Sequence, residues 1–180
     1  CNGVTSADSA STLHAWDAVV ELTGPEGVRR LPIREFYIKA GKVDLRPAEL
    51  QTAILLPRNA YEGYFGHYIK YAMRNAMDIA TLGCSVNVKL SEDKQRIEDA
   101  RIAYGVAGPI PIRAVTAEEQ IRGKELSSEQ VSAFSKAVLA DINPRDSWRA
   151  SKAFREHISQ VLAKRALTEA IHRAGGEIHE

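Results

Sequence analysis

At 180 residues, 44% hydrophobic and 26% charged, the chain has the length and composition of one globular domain or two small ones. A net charge of +1 argues against a dedicated electrostatic nucleic-acid binder, and no apolar run approaches the roughly 20 residues that span a bilayer. The two cysteines, Cys1 and Cys84, are too few for a disulfide framework; with a polar start unlike a secretory signal, they point to the reducing cytoplasm. The chain opens on Cys1 rather than Met, which is expected of a fragment or processed product.

The first region runs to about residue 57. A short helix is expected over 9–18, with Leu13, Ala15 and Trp16 on its apolar side. Val19 to Thr23 reads as a strand, because branched residues fit a pleated surface. Gly24-Pro25-Glu26-Gly27 is a turn signal, and residues 28–33 return as a hairpin partner in which Pro32 favours an edge. Phe36, Tyr37 and Ile38 are expected beneath this sheet. Residues 50–56 form a last strand, ended by Pro57.

The second region, from about residue 58, is expected to hold three antiparallel strands and a helical end. The strands fall over 63–74, 79–90 and 96–106. Leu82, Cys84, Val86, Val88 and Leu90 alternate strictly, the pattern of a half-buried strand. Thr116 and Glu119 have capping-box spacing for a helix over 117–122, ended by Gly123. Ser127 or Ser128 caps the next helix, and a final helix is expected over 147–174. The fold class is therefore α+β, with a three-stranded antiparallel sheet packed against a small helical bundle.

The sequence contains no CxxC, HExxH, GxSxG or phosphate-loop motif, so nothing in it marks an iron–sulfur, zinc or nucleophilic site. His14, His67, His157, His172 and His179 are scattered and read as surface or locally satisfied side chains, and Cys84 as a packed, inert thiol. Three features are candidates for cofactor contact. The small-residue loop Asn2 to Asp8 lets backbone amides approach a ligand, although spacing alone favours a plain helix entry capped by Asp8 or Ser6. Lys70 sits in a strand among tyrosines, where a snorkelling surface lysine is the simpler reading. Arg74 and Asp78 flank a break between strands and read as a local ion pair.

Four collinear segments carry a resemblance. Cys1-Asn2-Gly3-Val4-Thr5-Ser6-Ala7-Asp8-Ser9-Ala10 resembles the second FAD-contacting segment of the molybdenum hydroxylase flavoprotein subunits, without the Gly-Gly-Asn that precedes it there. Residues 70–80, from Lys70-Tyr71-Ala72 to Asp78-Ile79-Ala80, resemble the family's strand-turn-strand signature. Gly105-Val106-Ala107-Gly108-Pro109-Ile110-Pro111-Ile112-Arg113-Ala114 and Ser147-Trp148-Arg149-Ala150-Ser151-Lys152-Ala153-Phe154-Arg155 resemble two parts of its C-terminal domain. The nearest likeness is to bacterial xanthine dehydrogenase-type FAD-binding subunits.

The resemblance implies that residues 1–57 are the end of an FAD-binding domain and residues 58–180 a carbon monoxide dehydrogenase flavoprotein-type C-terminal domain. It implies FAD as cofactor, with Asp8, Leu50, Gln51 and Lys70 touching it, the segment Glu49-Leu50-Gln51 through backbone. The [2Fe–2S] clusters and the molybdenum cofactor are expected in partner subunits only, with electrons leaving through FAD to NAD. The family's glycine-rich pyrophosphate turn is missing, so the chain alone is expected to bind FAD weakly or not at all and to be inactive. The alternative is a non-catalytic docking module that binds partner subunits and no flavin, or that self-associates through exposed apolar edges.

Overall fold

A computed structural model describes residues 3–180. Its first element, helix α1 (Asp8–Ala15), is one residue earlier in start and three shorter in end than expected, because the chain turns at Asp17, which takes a positive φ of 45°. The expected hairpin is present: β1 (Val19–Gly24) pairs antiparallel with β2 (Gly27–Pro32) across the Gly24–Gly27 turn. A single helical turn, α2 (Ile33–Phe36), and a small ribbon, β3 (Tyr37–Lys39) with β4 (Lys42–Val43), close the hairpin. Strand β5 (Leu50–Leu55) then pairs with β1, giving the order β2-β1-β5. Val20, Leu22, Leu31, Ile33 and Phe36 form a small core on one side of this sheet, while Ile38 stays exposed.

After the short helix α3 (Arg58–Tyr61) comes an antiparallel sheet of β6 (Phe65–Tyr71), β7 (Leu82–Leu90), β8 (Ile97–Gly105) and β9 (Ile112–Arg113), in that order. The fourth strand is an addition to the three expected; at two residues, and following Pro109 and Pro111, it is too short to show alternation. Helices α4 (Val115–Ile121), α5 (Ser128–Ala137) with its 3-10 extension, and α6 (Lys152–Arg173) pack on one side. There Leu82, Cys84, Val86, Val88, Ile102 and Tyr104 meet Ile121, Phe134, Leu162, Leu167 and Ile171 in the main core. The buried hydroxyl of Tyr104 donates to the carbonyl of Ser159 at 2.8 Å.

The expectation of a half-buried β7 is corrected. Gly83, Ser85 and Asn87, on the other face, are buried as well, because α1 packs over β7 and β8. Alternation reports polarity, and small polar residues are what allow a second layer to come close. Asn87 fits under this layer because its partner across the ladder is Gly66; a side chain on Gly66 would collide with it.

Local signals were partly overridden. Ser127 caps α5 by accepting from the Gln130 amide at 3.3 Å, as expected. The Thr116–Glu119 capping box does not form, since the amide and hydroxyl of Thr116 both donate to Asp141. Helix α6 starts at Lys152 rather than near residue 147. Ser151 caps it, and the preceding loop wraps the buried guanidinium of Arg155, which donates to the carbonyls of Thr81, Arg145 and Ala150 and to Ser147 Oγ.

One ion cluster ties the two sheets together. Arg113 of β9 donates to Glu118 of α4 at 2.7 Å, to Asp17 at 2.7 Å and to the carbonyl of His14, in the last turn of α1. Glu118 also accepts from the Ile102 amide at 2.9 Å. Removing one partner of a buried pair leaves the other charge uncompensated. Arg113→Met is therefore expected to destabilise the fold by about 3 kcal/mol, read as a lowered midpoint in urea unfolding.

Candidate functional site

Helix α1 and strand β6 deliver the two charged residues singled out in the sequence to one place. Lys70 Nζ donates to Asp8 Oδ2 at 2.8 Å, across 62 positions of sequence. Asp8 stands in the first turn of α1, where the helix dipole favours a carboxylate. It does not cap the helix: Ala7 holds the cap position and no side chain bonds there, so the expected cap by Asp8 or Ser6 is corrected. Both ends of the pair remain partly open to solvent.

Leu50 and Gln51 lie at the start of β5, an edge strand, opposite Thr23 and Leu22. Leu50 is 71% exposed. Among the described residues no side-chain hydrogen bond or ion pair links either one to the Asp8–Lys70 pair. Their position is set by the residue before them. Glu49 accepts two bonds from Arg29, at 2.8 and 2.9 Å, and one from the Arg46 amide at 2.7 Å, while Arg29 also holds Asp44. The Arg29 guanidinium holds the Glu49 carboxyl down at about 2.

The segment between β6 and β7 is a loop built around Asp78. Its carboxylate accepts from the amides of Met73, Arg74 and Ile79 at 2.8, 2.9 and 2.9 Å. Burial pushes the Asp78 carboxyl up, but these three amides outweigh it and leave its pKa below the ordinary value. The expected Arg74–Asp78 pair is present at 4.0 Å, secondary to the backbone bonds. Beside the loop is an open cleft of about 240 Å³, lined by Lys70, Arg74, Asn75, Met77 and Asp78 among others. With Asp78 turned onto backbone, the cleft presents two cations and the 94%-exposed Met77. Such a wall suits a ligand with a flat apolar body and electron-rich oxygens.

Sequence reasoning missed the residues behind the pair. Tyr68, two positions before Lys70, points beneath α1 toward Ser11 and the backbone of Gly83. Burial first, and then the nearby Asp8 carboxylate, push its phenol up to about 12. The signal available was the second face of β7, whose small polar residues read as solvent-facing. His14 is buried and, of the two readings expected of it, takes the locally satisfied one: its Nδ1 bonds the carbonyl of Ala10 at 2.7 Å, and burial lowers its pKa. Cys84 is buried and its thiol is pushed up by burial, as an inert core thiol would be. Cys1 and Asn2, the start of the first motif, lie outside the described residues. Among those described, no cluster of three or more His, Cys, Asp or Glu is placed to hold a metal ion, and no helix is long and apolar enough to cross a membrane.

Comparison with known proteins shows the family. Residues 67–170 match the CO dehydrogenase flavoprotein C-terminal domain, and residues 1–59 match the FAD binding domain in molybdopterin dehydrogenase. The chain belongs to the CO dehydrogenase flavoprotein C-terminal domain family. Among its relatives, the xanthine dehydrogenase FAD-binding subunit of Escherichia coli O157:H7 is 43% identical over 178 residues, 99% of this chain and 60% of that protein. The glyceraldehyde dehydrogenase medium chain of Sulfolobus acidocaldarius is 31% identical, over 92% of this chain and 59% of that one. Among solved structures, a carbon monoxide dehydrogenase from Hydrogenophaga pseudoflava superposes with a TM-score of 0.88 at 28% identity, over 96% of this chain and 58% of that one. The chain thus spans about 60% of the length of the curated relatives it matches.

The depressed pKa of Glu49 predicts a pH signature. Its contribution is complete above pH 4.5, the ordinary value, and is lost as pH falls toward 2. Glu49→Gln is expected to melt below the parent at pH 7, with the difference closing as pH is lowered from 4.5 to 2 in a thermal-melt series.

Proposed function

We propose that this chain is the flavin-facing part of the FAD-binding subunit of a xanthine dehydrogenase-like molybdenum hydroxylase. The observation that carries this reading is the meeting of Asp8 and Lys70 at 2.8 Å: each was singled out from a separate motif, and α1 and β6 bring them together. The 43% identity to a FAD-binding subunit supports it. The residues fit the cofactor's chemistry. Lys70 supplies a cation for the electron-rich ring, Asp8 an acceptor for a ring or ribityl donor, and Leu50 and Gln51 an edge strand whose outer backbone groups no strand covers among the described residues.

When bound, FAD supplies two-electron chemistry, collecting electrons from [2Fe–2S] clusters in a partner subunit and delivering them to NAD, with molybdenum in a third subunit and the assembly in the cytoplasm. This chain orients the ring by presenting Lys70 and Asp8 side by side on one wall. The cleft of about 240 Å³ is below the roughly 300–1,000 Å³ of a complete ligand pocket. It therefore forms one wall of a site, and the pyrophosphate is held by the part of the longer relatives that this chain does not span. The domain boundary falls near residue 57, before α3. A second reading, a docking module for partner subunits without flavin, draws on the 77%-exposed Trp148, stacked by Arg149, and on the Tyr71–Phe154 pair.

In the complete flavoprotein, Lys70→Ala and Asp8→Asn are each expected to weaken FAD binding about tenfold, or about 1.4 kcal/mol, in a fluorescence titration. Unchanged flavin content and unchanged NADH formation in both variants would remove the pair from the flavin site and favour the docking reading.

A further inference from the structure

A second cleft lies at the other end of α1 from the charged pair. It has a volume of about 260 Å³ and opens between the first sheet and the α3–β8 side of the second. Asp17, Pro32, Arg34, Pro57, Asn59 and Arg101 are among the residues that line it. The function proposed above makes no use of it.

Its polar groups are unevenly satisfied. Asp17 gives Oδ1 to Arg113 at 2.7 Å. Its Oδ2 accepts no hydrogen bond among the described residues, and Arg101 Nη1 approaches it only to 3.5 Å. Arg101, with 12% of its side chain exposed, donates to Asp99, to the Ala60 carbonyl and to Tyr64 OH. A guanidinium has five N–H groups, so Arg101 keeps donors to spare. Arg34 reaches Asp17 only at 3.7 Å, and neither its side chain nor that of Asn59 makes a hydrogen bond among the described residues. The charges are uneven in the same sense. Arg34, Arg101, Arg113 and Arg122 share by direct contact only Asp17, Asp99 and Glu118. Arg34, with the longest contact, is the cation left over.

Free donors on Arg34, Arg101 and Asn59, set around one free carboxylate oxygen, describe a ligand that accepts several hydrogen bonds and donates one. An oxyanion without a proton would set a lone pair against Asp17 and be repelled. Hydrogen phosphate carries the proton that Asp17 can accept, and guanidinium forks match its other oxygens. We propose that this cleft binds hydrogen phosphate, its hydroxyl donating to Asp17 Oδ2 and its remaining oxygens accepting from Arg34, Arg101 and the Asn59 amide. No proton is transferred and no covalent bond changes. The bound anion joins elements of both sheets, so its binding stabilises the folded junction by mass action. The site stands independently of the flavin reading.

The test uses the complete flavoprotein, saturated with FAD so that its cofactor site is filled. Inorganic phosphate is titrated by isothermal calorimetry at neutral pH and fixed ionic strength, and one saturable site is expected. Sulfate, similar in size and charge but with no proton to donate, is expected to bind about tenfold more weakly. Arg34→Gln, at a side chain 56% exposed, is expected to fold as the parent does and to weaken phosphate about tenfold. Asn59→Ala serves as a second probe and is expected to weaken phosphate by a smaller factor. Absence of saturable phosphate binding, equal affinity for sulfate and phosphate, or an Arg34→Gln variant that binds phosphate as the parent does would each overturn the proposal.

Discussion

Strand β7 is covered on both sides, by the α4–α6 layer on one face and by α1 on the other, and most of the molecule follows from that double burial. The apolar face could be built from Leu82, Cys84, Val86 and Val88 with no further condition. The other face needed small residues for α1 to approach and polar residues that keep hydrogen-bonding capacity inside. Gly66, Gly83, Ser85 and Asn87 supply both. Arg113 locks the far end of α1 through the His14 carbonyl and Asp17, while the near end presents Asp8 to Lys70. A helix of eight residues, marginal alone, is thereby fixed at both ends by the sheet it covers.

This arrangement holds the charged pair more firmly than an ordinary surface pair is held. Exposed ion pairs are weak and mobile because water and long side chains compete with them. Lys70 and Asp8 instead project from two rigid elements whose relative position is set by buried contacts, so their separation is determined before any ligand arrives. The loop that follows β6 is held by Asp78 acting on three amides and by Arg74 donating to the Met77 carbonyl at 2.7 Å, and Arg74 and Met77 line the cleft.

Much of the fold was legible in the sequence. The Gly24–Gly27 turn, the β7 and β8 strands marked by alternation and the Ser127 cap are elements whose local signals tertiary packing did not contradict. The misreadings share a cause. Thr116 was diverted by Asp141, the start of α6 was unwound around Arg155, and the second face of β7 was hidden by a helix some 70 positions away in sequence. Asp141, the Thr81 carbonyl and α1 are each distant in sequence from what they displace, so no local pattern announces them. The same holds for the site. Local features mark Asp8 and Lys70 only as candidates with a plainer reading, resemblance gives them and Leu50 and Gln51 a flavin role, and Tyr68, Ser11 and Gly83 emerge only once α1 lies on the sheet.

The central claim is that flavin is met by α1, the start of β5 and the end of β6. Hydrogen exchange of the complete flavoprotein, compared with and without FAD and resolved to short peptides, tests it directly. The account predicts added protection in peptides covering Asp8, Leu50–Gln51 and Lys70–Asp78. Protection confined to other parts of the protein, with these three segments exchanging as they do without FAD, would contradict it.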